Sequence, residues 1–192
     1  MRPPVSKGWV ALAAVGGLAY PFLVYFGITV IPPAALLLVA LILIAARIVS
    51  LSRLVGSRWW LAAFGVAALG LIGLLAAAPA LAVKAYPVAV SLAVAAVFAL
   101  SLVFPPTLIE RIARLTEPDL PPEGVIYTRK VTWVWVFFLI GNAIISIATA
   151  LYGSLEQWTL WNGFLSYIAM GALFSGELVV RRVVRRRHQV LS

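Results

Sequence analysis

The sequence has no cysteine, a single histidine and only six acidic residues among 192. The first absence excludes disulfides, thiol nucleophiles and thiolate metal sites. The one histidine, His188, lies in a basic tail, so the chain by itself offers neither a His-based metal cluster nor an intramembrane His relay. No metal and no cofactor are expected. Charge of either sign is scarce: 11% of residues are Asp, Glu, Lys or Arg, against about a quarter in soluble domains. There is also no Walker loop, Gly-x-Ser-x-Gly elbow, His-Glu-x-x-His pair or acyltransferase His-x4-Asp pair. No residue is therefore assigned a catalytic role, and enzymatic activity is not expected.

What the sequence has is apolar length. It is 64% hydrophobic, with mean hydropathy +1.06. Leu, Ala, Val and Ile come in long runs and do not alternate with polar residues, which points to helices and away from a β-barrel. The expected fold class is an all-α integral membrane protein forming one membrane domain over residues 1–192. Uncharged runs place six transmembrane helices at roughly 8–28, 32–50, 59–83, 85–105, 131–152 and 158–180. The stretch from Gly8 to Ala46 holds 39 uncharged residues. As one helix it would be about 58 Å long, nearly twice the hydrocarbon thickness, so Pro32-Pro33 is read as a hairpin that divides it. The amino-terminal run is long and lacks a small-x-small cleavage pattern, and it reads as a retained helix, not a cleaved signal.

The distribution of basic residues tests this span count. Net charge is +9. With six spans, one side receives Arg2, Lys7, Arg47, Arg53, Arg58, Arg111, Arg114, Arg129, Lys130, Arg181, Arg182, Arg185, Arg186 and Arg187, which are 14 of the 15 basic residues. The other side keeps Lys84. Under the positive-inside rule both termini and the 105–130 loop face the cytoplasm. Nucleic acid is not an expected partner, because no basic groove with interleaved aromatics stands apart from the membrane flanks. The tail arginines Arg181, Arg182, Arg185, Arg186 and Arg187 are expected to contact anionic lipid headgroups, at about 1 kcal/mol each. Trp59, Trp60, Trp133, Trp135, Trp158 and Trp161 lie near span ends and read as interfacial anchors. Ala62, Ala63, Gly65, Ala67, Ala68, Gly70 and Gly73 make the third span a close-packing helix. Packing within the chain is the expected use, with a homodimer as the alternative.

Polar residues gather in PPTLIERIARLTEPDLPPEGVIYTRK, residues 105–130, which holds four of the six acidic residues. Thr107 and Glu110 have the spacing of a capping box. Leu108, Ile109, Ile112 and Leu115 fall on one helical face opposite Glu110, Arg111 and Arg114, and Glu110 precedes Arg114 in the favourable i,i+4 order. A short amphipathic helix on the cytoplasmic membrane surface is expected between spans four and five. Residues 116–124 follow as a proline-stiffened strap that is not helical. Glu110, Arg111, Arg114, Glu117, Asp119, Arg129 and Lys130 form the candidate docking set for a cytoplasmic protein or a lipid headgroup. Within the spans, Asn142 with Ser146 and Thr149, and Asn162 with Ser166, are expected to make hydrogen bonds between spans five and six. Glu177 is expected to pair with Arg181.

The second half, from Pro105 to Arg182, resembles small bacterial inner-membrane proteins of unknown activity encoded beside aryl polyene and other fatty-acid-synthase-like genes. More distantly it resembles the intracellular septation protein A family. The resemblance rests on Leu108, Ile109 and Arg111 of the first element, and on Trp135, Phe137, Phe138 and Asn142 of the aromatic helix. It covers about 75 residues and supplies no catalytic residue. It implies an accessory role in envelope lipid-like biosynthesis, with acyl carrier or synthase proteins as cytoplasmic partners. The alternatives are a small transporter or flippase for a lipid-linked product, or a part in septation and envelope maintenance.

Overall fold

The computed structural model describes the backbone of residues 7–55 and 59–191 and the side chains of residues 15–49 and 59–181. Every regular element among them is helical. The helices are α1 (Lys7–Gly27), α2 (Pro33–Val55), α3 (Trp59–Ala77), α4 (Pro79–Lys84), α5 (Tyr86–Val103), α6 (Leu108–Ala113), α7 (Pro122–Tyr152), α8 (Leu155–Leu160) and α9 (Ser166–Leu191). A single π turn over Trp161–Leu165 joins α8 to α9 without a break. Four helices are long and apolar enough to cross a membrane: Trp59–Ala77, Tyr86–Val103, Pro122–Tyr152 and the continuous Leu155–Arg181. The described parts of α1 and α2 add two shorter apolar helices, Val15–Gly27 and Pro33–Val49.

Proline sets most of the boundaries. After Gly27 the chain turns through two bonds onto its carbonyl, from Val30 N at 3.0 Å and Ile31 N at 2.7 Å. α2 then begins on Pro33, where a missing N–H costs nothing. The third expected span, 59–83, stops earlier. Ala78 leaves helical geometry (φ −150°, ψ 79°), and Pro79 starts the separate helix α4. The fourth ends at Phe104, ahead of Pro105-Pro106. The fifth expected span, 131–152, is too short at its start. Pro121 is the N-cap and Pro122 the first residue of a 31-residue helix. The expected non-helical strap therefore ends at residue 121, because the same prolines that break a helix also begin one. The sixth is lengthened at its start by a capping box in which the Ser154 Oγ accepts from Gln157 N while Gln157 Oε1 accepts from Ser154 N.

α5 lies at the centre and packs most extensively on α7, then on α3. The residues α7 buries include Thr128, Thr132, Val136, Leu139, Ala143, Ser146 and Ala150. Their spacing of three and four residues is the seam of one helix laid along another. Trp60 and Trp158 are 1% and 0% exposed and so belong to the core, not to the interfacial ring expected of them. Trp60 stacks on Phe64, and Trp158 Nε1 donates to the Lys84 carbonyl at 3.2 Å. Large apolar side chains face outward along several helices, among them Val66, Leu69, Phe137 and Ile144. A soluble monomer does not expose so much continuous apolar surface; a protein solvated by acyl chains does.

The helices alternate direction, and contacts between distant segments define two ends. At one end the 78–85 corner receives Trp158 Nε1 and the Tyr20 hydroxyl, which donates to the Val83 carbonyl at 3.0 Å. At the other, Trp59 stacks on Phe104 with ring centroids 5.4 Å apart, and the Tyr127 hydroxyl reaches Glu177. The second end carries Glu110, Arg111, Arg114, Glu117, Asp119, Glu123, Arg129, Lys130, Glu177 and Arg181; the first carries Lys84 and Glu156.

Candidate functional site

Three groups of polar side chains stand out: the connection between α5 and α7, a buried seam inside the bundle, and one arginine among α1, α2 and α9.

The α5–α7 connection is bonded to itself. The Thr107 hydroxyl caps α6 by accepting from Glu110 N at 3.3 Å. The other half of the expected capping box does not form. Glu110 Oε1 instead accepts from Arg114 Nε at 3.0 Å and from Nη2 at 2.9 Å. Glu110 is also not on a solvent face: it is buried together with Leu108 and Ala113, whereas Ile112 and Leu115 are exposed. α6 is thus rotated from the expected orientation, because the Glu110–Arg114 pair turns the carboxylate toward the protein. Arg114 Nη1 also donates to the Pro118 carbonyl at 2.9 Å, and Arg111 Nε donates to the Pro106 carbonyl at 2.9 Å. Ser101 joins the connection to α5, donating to the Phe98 carbonyl and accepting from Leu108 N at 2.9 Å. The expected docking set therefore divides. Glu110, Arg111 and Arg114 hold the segment's shape, and Glu117 is half-buried. Asp119, Arg129 and Lys130 are exposed.

The buried seam links α5, α7 and the π turn. Asn142 Nδ2 donates to Ser91 Oγ on α5 at 2.9 Å. Ser146, one turn farther along α7, donates to Asn162 Oδ1 at 2.7 Å. Asn162 Nδ2 donates to the Trp158 carbonyl at 2.9 Å. A π turn widens the helix by one residue and disturbs its amide ladder; here Asn162 supplies a side-chain donor at that place. Gly163 beside it lets α1 approach: a Cβ there would come within 2.9 Å of the Phe22 ring. Thr149 turns back to its own helix, onto the Ile145 carbonyl. Glu177 does not pair with Arg181. Arg114 forms its ion pair with Glu110, whereas Glu177 accepts from the Tyr127 hydroxyl at 3.4 Å. This seam fixes helix positions. Beyond Arg181, the side chains of Arg182, Arg185, Arg186 and Arg187 lie outside the described residues.

The third group was not visible in the sequence. From sequence Arg47 belongs with the basic residues of the cytoplasmic side, but it lies inside α2, which continues to Val55. Its guanidinium rests on Gly17 of α1, where a Cβ would collide with Arg47 Nη2 and would lie 3.7 Å from the Tyr167 hydroxyl of α9. Gly17 is midway along α1, ten residues or about 15 Å from either end. Tyr167 is twelve residues, or about 18 Å, from the start of its apolar helix at Leu155. Among the described residues, Arg47 is the charged residue placed at neither end of the bundle. Its Nε is buried with no hydrogen-bond partner, as is the Tyr86 hydroxyl nearby, whose ring lies 4.5 Å from that of Tyr20. The signal available from sequence was an arginine three residues short of the expected span end at 50, which reads equally well as a flanking charge.

A groove of about 620 Å³ runs between α3 and α5, lined by Ala62, Ala63, Ala67, Gly70, Leu92 and Ala96 among others. A Cβ on Gly65, Gly70 or Gly73 would meet nothing within 4 Å. These glycines are therefore not used for packing within the chain, contrary to expectation. No cluster of His, Cys, Asp or Glu among the described residues is arranged to hold a metal. No protein-family model matches the chain, and neither curated proteins nor solved structures give a match.

Proposed function

We propose that the chain is a six-span protein of the bacterial inner membrane, crossing with α1, α2, α3, α5, α7 and the continuous α8–α9, with both termini cytoplasmic. The concentration of described charge at one end of the bundle supports this orientation. In it, α6 lies at the cytoplasmic interface, with Ile112 and Leu115 toward the acyl boundary. The protein acts as an accessory or scaffold in envelope lipid-like biosynthesis and holds an acidic cytoplasmic partner, such as an acyl carrier or synthase protein, against the membrane. The resemblance of its second half to membrane proteins encoded with aryl polyene genes supports the pathway class. Arg181 and the tail arginines add contacts to anionic headgroups.

One observation carries the docking reading. The 104–121 segment is stiffened by Glu110, Arg111 and Arg114 acting within it, so it forms a fixed shoulder beside the exposed cations Arg129 and Lys130 at the head of α7. Cations held at a fixed place on a surface speed encounter with an acidic partner. The test is capture of a purified acidic acyl carrier protein by the protein in neutral-lipid nanodiscs. Arg129→Gln with Lys130→Gln should weaken capture about tenfold at low salt and much less at high salt. Capture unaffected by either change contradicts the reading.

A further inference from the structure

Among the described residues, nothing neutralises the charge of Arg47. The first 109 residues contain no Asp or Glu. The six carboxylates are Glu110, Glu117, Asp119, Glu123, Glu156 and Glu177. All six belong to elements at the two ends of the bundle, and none pairs with Arg47. An isolated cation in an apolar interior is strongly disfavoured unless it is paired or reaches water.

The usual escape is for the long side chain to run to the nearer membrane surface. Arg47 does the opposite. α1 and α2 are antiparallel, joined by the short turn after Gly27. Leu43 touches Gly16, yet Arg47, one turn closer to the carboxyl end of α2, touches Gly17. Gly17 lies one residue farther toward the opposite end of the bundle. The Arg47 side chain therefore climbs back along α2 toward the middle, the direction in which helical side chains point. Gly17 permits this, since any larger residue would occupy the place of Nη2.

We propose that the Arg47 guanidinium, with the Tyr167 hydroxyl beside it, binds an oxyanion group, a phosphate or a carboxylate, in the middle of the bundle among α1, α2 and α9. A guanidinium presents a planar fork of donors that matches these groups in two-point fashion. Arg47 as a whole is half-buried while its Nε is fully enclosed, so the fork is held in place yet still reachable. The Tyr86 hydroxyl is likewise buried without a partner, on a ring packed against Tyr20 of α1. The anion is either the headgroup of an acidic lipid or a free ion. This site is independent of the docking face at the end of the bundle.

The protein is placed in phosphatidylcholine nanodiscs and its thermal unfolding followed by tryptophan fluorescence. Two arms follow: an increasing fraction of phosphatidylglycerol, and inorganic phosphate added to the neutral discs. The wild-type midpoint should rise and saturate in one arm. A rise with phosphatidylglycerol alone identifies a lipid headgroup; a rise with phosphate identifies a free anion. Arg47→Gln should lose the saturable rise in both arms, and in pure phosphatidylcholine it should unfold at or above the wild-type temperature because an unpaired cation has been removed. Arg47→Lys, which keeps the charge but not the fork, should fold and need about tenfold more anion for the same rise. The proposal is overturned if the wild type shows no saturable rise in either arm. It is also overturned if Arg47→Gln responds like wild type, or, should that variant not fold, if Arg47→Lys does.

Discussion

The hydrogen bond from Ser146 to Asn162 is a clean place to measure what the buried seam contributes. Ser146 is wholly buried, and its hydroxyl donates to Asn162 Oδ1 at 2.7 Å. Ser146→Ala removes one oxygen atom and leaves Asn162 Oδ1 without that donor. Hydrogen bonds between membrane helices have measured about 0.6 kcal/mol on average, with a maximum near 1.7. The short distance and full burial put this one in the upper half of that range, so Ser146→Ala should cost about 1–1.7 kcal/mol. Asn162→Ala additionally loses the bond to the Trp158 carbonyl and opens a small void, for about 2–3 kcal/mol. The double variant should cost less than the sum, with a coupling of about 1 kcal/mol. The assay is the folded fraction against sodium dodecyl sulfate mole fraction in mixed micelles. Asn142→Leu serves as a control because Asn142 bonds Ser91 on a different helix, and it should leave the Ser146–Asn162 coupling in place. A Ser146–Asn162 coupling below about 0.3 kcal/mol would refute the claim that this bond joins α7 to the π turn energetically.

Glycines offer an internal contrast. Gly153→Ala should destabilise by about 1–3 kcal/mol, since its Cβ would lie 2.7 Å from the Thr149 carbonyl oxygen. Gly73→Ala, facing open space, should be neutral or stabilising by up to about 1 kcal/mol through helix propensity; the same micelle titration measures both. If α3 pairs with a second copy along its open glycine face, Gly70→Leu should abolish cross-linked dimer without loss of fold. Glu110→Ala should cost about 1–3 kcal/mol, because it strips Arg114 of its buried partner, whereas Asp119→Ala should stay within about 0.5 kcal/mol.

The helical class was legible because apolar runs of spanning length leave few alternatives, and the ends of α1 and the start of α2 followed from Gly27 and the proline pair. Boundaries elsewhere turned on which side of a proline the helix lies. Pro121-Pro122 starts α7 though it read as part of a non-helical strap, and Pro79 starts α4 though the third expected span ran through it. Side-chain roles were harder to see. Trp60 and Trp158 sit near helix ends, but tertiary packing covers them. Glu110 faces the protein because its i,i+4 partner and the Thr107 cap fix the rotation of so short a helix. The pairing of Ser146 with Asn162 follows from both lying on facing helices. Asn142 and Ser91 are 51 residues apart, and no local pattern joins them. Arg47 was missed because sequence records how far a residue is from a helix end but not which way a long side chain points.

The arrangement of the spans decides which face of the protein meets the cytoplasm. The chain has no cysteine, so one introduced cysteine reports alone. Labelling of intact cells with a membrane-impermeant maleimide should modify Ser154→Cys and should spare Glu123→Cys and Asp119→Cys until the inner membrane is permeabilised. Modification of Glu123→Cys in intact cells, with Ser154→Cys protected, would contradict the orientation and with it the cytoplasmic docking face.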